Sequence, residues 1–97
     1  MVIWSHPARD DLRQIFEYIA QDSVIYAKRV VKNIVETSMN LCNFPQKGRV
    51  IPEINDPNIR EIFIYSYRLM YQITPRDIYV LAVIHGKRDF VPDDIQY

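Results

Sequence analysis

Glycine is scarce in this chain, at two residues of 97. Most of the chain should therefore be regular structure with short loops. The single cysteine, Cys42, excludes an internal disulfide and a cysteine-built zinc site, and it fits a reducing cytoplasm. Charge of one sign is missing too. Twelve basic residues balance twelve acidic ones, five of each within residues 1–45 and seven of each within residues 46–97. A cationic tail for nonspecific attachment to nucleic acid is therefore absent. No apolar run approaches the roughly 20 residues of a membrane span, and the start, Met1-Val2-Ile3-Trp4-Ser5, lacks the pattern of a signal peptide. His6 and His85 are far apart and neither sits in a ligand-like cluster, so no metal and no cofactor are expected.

An apolar fraction of 48% is enough for a real core, and the length suits one domain. Val2-Ile3-Trp4 has the composition of a short strand. Ser5 offers a cap and Pro7 a first turn, after which Ala8, Leu12, Ile15, Phe16 and Ile19 fall at helical spacing. Asp22-Ser23 breaks the pattern. A second stripe follows at Ala27, Val30, Val31, Ile34, Val35, Ser38, Leu41 and Cys42, and Phe44-Pro45 ends it. Two amphipathic helices so closely joined predict an antiparallel hairpin over about residues 7–43.

The second half changes period. Arg49-Val50-Ile51, Ile59 to Tyr65, Tyr67 to Ile73 and Ile78 to Ile84 read as strands of a meander over about residues 49–86, with a tail at 87–97. The last strand is apolar on both faces and should lie inside the sheet. Fold class is thus α+β, the hairpin covering one face of a small antiparallel sheet. Trp4, Phe16, Phe44 and Cys42 are expected in the core.

The order of elements and several motifs resemble the RelE/ParE superfamily of small bacterial toxins. They are Trp4-Ser5 with Ala8, Asp11-Leu12 and Tyr18-Ile19-Ala20; Phe44-Pro45 with Gly48-Arg49; Pro52-Glu53 and Arg60-Glu61; Tyr67-Arg68-Leu69 with Tyr71; and His85 with Arg88-Asp89. The resemblance spans roughly residues 3–90. It implies the toxin of a type II toxin–antitoxin module, inhibiting growth, associated with plasmid stabilisation, and held inactive by a cognate antitoxin. It leaves the target open between DNA gyrase and ribosome-bound mRNA. A homodimer or a toxin–antitoxin hetero-oligomer is compatible with it, and no membrane is implied.

RNA cleavage at the 2′-hydroxyl needs a base, cations for the pentacovalent phosphate and an acid. The candidates are Glu53 or His85 as base, Arg60, Arg68, Lys87 and Arg88 as cations, and His85 or a tyrosine as acid. Each also has a plain role. Arg68 can pair with Glu61 or Glu53, His85 can be a hydrogen-bonded strand end, and Lys87 and Arg88 can be solvated. RelE-like ribonucleases carry more lysine and arginine along the strand that here reads Ile62-Phe63-Ile64. Beyond Arg88 this chain continues with Asp89, Asp93 and Asp94, which repel phosphate. The residues therefore look closer to the ParE-like branch, with Arg60, Arg68, Lys87 and Arg88 as target-binding groups and catalysis leaning toward absent. A degenerate member that only binds its antitoxin is the remaining alternative.

Overall fold

A computed structural model describes residues 1–86. Lys87, Arg88 and the tail through Tyr97 lie outside the described residues. Strand β1 (Val2–Trp4) leads into α1 (His6–Ala20), then α2 (Val24–Asn40). A single 3-10 turn at Pro45–Lys47 precedes β2 (Arg49–Val50), β3 (Ile59–Ile64), β4 (Tyr67–Ile73) and β5 (Ile78–His85).

Both helix starts follow the sequence signals. The Ser5 hydroxyl accepts from the Ala8 N–H at 3.2 Å and donates to the Leu81 carbonyl at 3.2 Å, so one residue caps α1 and pins it to β5. Ser23 accepts from the Tyr26 N–H at 3.1 Å and starts α2. Ala8, Ile15, Val30, Ile34 and Leu41 then bury against Leu69, Tyr71, Val80 and Val83 of the sheet. Trp4 donates its indole N–H to Ser38 Oγ at 3.2 Å, which ties β1 to α2.

The sheet has five strands in the order β1-β5-β4-β3-β2. Its meander is antiparallel, as expected, but β1 joins β5 in parallel and makes the sheet mixed. Two helices separate β1 from the meander, and a crossover of that kind is what a parallel pairing requires. Strand β5 is internal, and its register against β4 shifts between Met70 and Tyr71. The shift leaves Leu81 unmatched, turning Val80 and Val83 toward the helices and Leu81 and Ala82 toward the far face. A second, smaller core of Ile51, Ile59, Met70, Leu81 and Ala82 fills that far face beneath the loop between β2 and β3.

Two expected core residues lie elsewhere. Cys42 is exposed, because α2 ends at Asn40 and Leu41 takes the buried position at the helix exit. Phe44 is 65% exposed, since the chain is already turning toward Pro45–Lys47. Trp4 and Phe16 are half-buried.

Candidate functional site: a neutralised arginine on the open face

Alternation along β3 and β4 decides which charged residues meet. Glu61 pairs with Met70 and Phe63 pairs with Arg68, so Glu61, Phe63 and Arg68 share the face away from the helices. Arg60 pairs with Tyr71, a helix-side core residue, and therefore belongs to the opposite face. The structure thus brings Arg68 together with Glu53 and Glu61, and does not bring it together with Arg60.

Arg68 is nearly buried and its guanidinium is taken up by carboxylates. Its Nε donates to Glu61 Oε1 at 2.6 Å. Nη1 and Nη2 donate to the two oxygens of Glu53, each at 3.2 Å, a forked contact of the kind a phosphate would otherwise make. Glu61, 1% exposed, also accepts from Arg49 Nε at 2.6 Å through Oε2. Arg49 in turn lies over the Phe63 ring at 5.2 Å from its centroid. Two guanidiniums and two carboxylates sum to zero.

The ionisation of these groups follows from their contacts. The hydrogen bonds from Arg68 hold the Glu53 carboxyl below the usual carboxylate range, although burial works against them. Burial acts to lower the Arg68 value, but the hydrogen bonds to Glu53 and Glu61 outweigh it and the guanidinium stays protonated. No buried side-chain nitrogen or oxygen among the described residues lacks a hydrogen-bond partner. A network completed in this way is rigid at its buried members, with the Arg68 guanidinium engaged by both carboxylates while the Arg49 side chain stays 57% exposed.

Arg60 is fixed differently. Its Nε donates to the Pro57 carbonyl at 2.9 Å and Nη1 to the Gly48 carbonyl at 3.0 Å. It staples the β2–β3 loop to the turn before β2. Gly48 also donates its N–H to the Tyr71 hydroxyl at 3.0 Å, and that hydroxyl donates to the Pro45 carbonyl at 2.6 Å. Burial pushes the Tyr71 phenol up, with the Gly48 bond as the opposing influence. Only glycine fits at 48, because a Cβ would come 2.4 Å from the Glu61 carbonyl oxygen. His85 is at the end of β5 on the helix side, edge-on to Tyr67 at 5.9 Å between ring centroids. The sequence candidates are thus divided: Glu53 and Arg68 form one network, Arg60 and His85 stand apart from it, and Lys87 and Arg88 are outside the described residues.

Sequence reasoning weighed Glu61 only as a partner for Arg68 and did not single out Arg49. The signal for both was available. A carboxylate flanked by Ile59 and Phe63 on an inward-facing alternation needs cationic partners, and the neighbouring β2 supplies one.

A five-stranded mixed sheet with a helical hairpin on one face and a compensated arginine on the other makes a small α+β fold. The family described as the ParE toxin of type II toxin-antitoxin system, parDE, matches residues 2–90, and the chain belongs to it. Among curated proteins, "Toxin RelE2" of Caulobacter vibrioides is 25% identical over 88 residues, covering 90% of this chain and 96% of that one. Among solved structures, the chromosomal ParDE toxin–antitoxin system from P. aeruginosa superimposes with a TM-score of 0.74 at 20% identity, covering 89% of this chain and 95% of that one. The second likeness is one of fold.

Proposed function

We propose that this chain is a growth-inhibiting toxin that works by binding its target, DNA gyrase, without catalysing RNA cleavage. A cognate antitoxin neutralises it. Membership of the ParE toxin family supports the toxin–antitoxin setting. The observation that carries the binding mode is the state of Arg68. Its Nε, Nη1 and Nη2 are all engaged by Glu53 and Glu61 in a network of zero net charge. Stabilising a pentacovalent phosphate requires cations aimed at the oxygens where charge develops. A guanidinium already compensated by two carboxylates offers no such excess.

Induction of the chain in bacteria tests the reading. Inhibition of gyrase produces filamentous cells, a DNA-damage response and intact messages, and co-expression of the antitoxin restores growth. Rapid arrest of translation with cut messages would overturn the binding mode. Normal growth would overturn the toxin itself and leave a chain that only binds its antitoxin.

A further inference from the structure

Arg49 differs from the other members of its network because it reaches solvent. It lies on β2, an edge strand of the sheet, directly opposite Glu61 of β3. Its side chain is 57% exposed, whereas that of Glu61 has no exposure. The exposed end is nevertheless fixed in place. Pairing with β3 holds the backbone, and Nε donates to Glu61 Oε2 at 2.6 Å. The guanidinium carbon stands 5.2 Å from the centroid of the Phe63 ring, itself 52% exposed. Neither Nη1 nor Nη2 has a hydrogen-bond or ion-pair partner among the described residues.

The charge at that end is also the less compensated of the two guanidiniums. Glu61 gives Oε1 to Arg68 and Oε2 to Arg49, so one carboxylate serves both. Glu53 forks Arg68 with its two oxygens. Arg68 thus draws on two carboxylates and Arg49 on a share of one. An ordinary surface arginine gives up side-chain freedom when it binds, but Arg49 has already given it up. Arginine and aromatic side chains are enriched in protein interfaces, and here they arrive stacked.

We propose that Arg49, backed by Phe63, docks a carboxylate on an acidic segment of a partner protein. The two Nη groups offer parallel donors that match the two oxygens of an aspartate or glutamate. Nucleic acid is a poorer match. Its affinity comes from several cations displacing counterions at phosphates. Arg49 is the one exposed cation of the described network, and it stands beside the Glu53 carboxylate, which is 33% exposed. The docking point goes beyond the reading of a gyrase-binding toxin and stands whether or not gyrase is the target.

The test uses the full chain and two blocked pentapeptides, Ac-Ala-Ala-Xaa-Ala-Ala-NH2, with glutamate or glutamine at the centre. Arginine Nε–H and phenylalanine ring resonances are followed by NMR during titration. A saturable shift at Arg49 and Phe63 is expected, larger than at the exposed Arg9, Arg29 and Arg76. Glutamate should bind roughly 3- to 10-fold tighter than glutamine. Arg49→Lys keeps the charge but loses the fork and the stack, and should weaken glutamate binding at least ~3-fold. Phe63→Leu, at an exposed position, should weaken it about 2-fold or more with the fold retained. Equal binding of glutamine overturns the proposal, as does an Arg49 response no larger than that of the other exposed arginines. Full binding by folded Arg49→Lys or Phe63→Leu chains overturns it too. A stronger response of Arg49 to a short DNA duplex would also overturn it, by making the residue a phosphate contact.

Discussion

Removing Arg68 should unfold the open face from within, and the size of the effect follows from who is left behind. In Arg68→Met, Glu61 keeps only Arg49, whose side chain is 57% exposed, while the Glu61 side chain has no exposure at all. Glu53, one-third exposed, can rehydrate. Breaking a buried ion pair from one side costs about 3–5 kcal/mol. The surviving Arg49 contact places this case at the low end, about 3 kcal/mol. Glu61→Leu leaves Arg68 forked on Glu53 but strands part of its charge, and should cost about 2–3 kcal/mol. The double variant Glu61→Leu with Arg68→Met has no buried charge to compensate. Apolar replacements of similar volume are often neutral, so it should cost no more than about 2 kcal/mol, well below the sum of the singles. The coupling energy is then at least about 3 kcal/mol in magnitude, at the top of the range for residues of one network. Urea denaturation gives all four corners of the cycle, with unchanged slopes confirming comparable unfolding. For a domain of this size 3 kcal/mol corresponds to roughly 12–24 °C in thermal midpoint. An Arg68→Met cost below about 1 kcal/mol, or singles that simply add, would refute the structural assignment of the arginine.

Three further outcomes follow from the same geometry. Gly48→Ala forces a Cβ to 2.4 Å from the Glu61 carbonyl oxygen and 2.7 Å from the Tyr71 hydroxyl. The backbone must shift, and calorimetry should show a loss of about 1–3 kcal/mol. Tyr71→Phe strands the Gly48 N–H and the Pro45 carbonyl and should cost about 1–3 kcal/mol by urea midpoint. The carboxyl of Glu53 is held below its ordinary value, so its contribution is fully present above the unfolded glutamate pKa of about 4.3 and is lost as pH falls through the folded value. Stability of Glu53→Gln should therefore fall less between pH 5 and pH 3 than that of the parent chain, measured by urea midpoints across that window.

Helix starts, strand spans and the inner place of β5 were legible because they rest on local rules. Ser5 and Ser23 cap as hydroxyls do, and the apolar run from Ile78 to Ile84 has no polar face to show to water. The parallel pairing of β1 was harder to read, since three residues carry no signal of direction. Cys42 and Phe44 continue the apolar stripe of α2, yet the helix stops at Asn40, and a stripe has no meaning once the period ends. The site was half legible. Period-two alternation already separates Arg60 from Arg68, because Arg60 stands one residue before Glu61 and so faces the other way. The fork between Arg68 and Glu53 depends on how the loop between β2 and β3 folds over the sheet, which no local pattern specifies.

DNA supercoiling by purified gyrase, with the purified chain titrated in, tests the proposed mode of action most directly. The account predicts progressive loss of supercoiling at stoichiometric concentrations, preserved in a folded Glu61→Leu, Arg68→Met chain because no phosphate chemistry depends on Arg68. Unimpaired supercoiling, together with cleavage of mRNA on ribosomes that vanishes in that same variant, would contradict it.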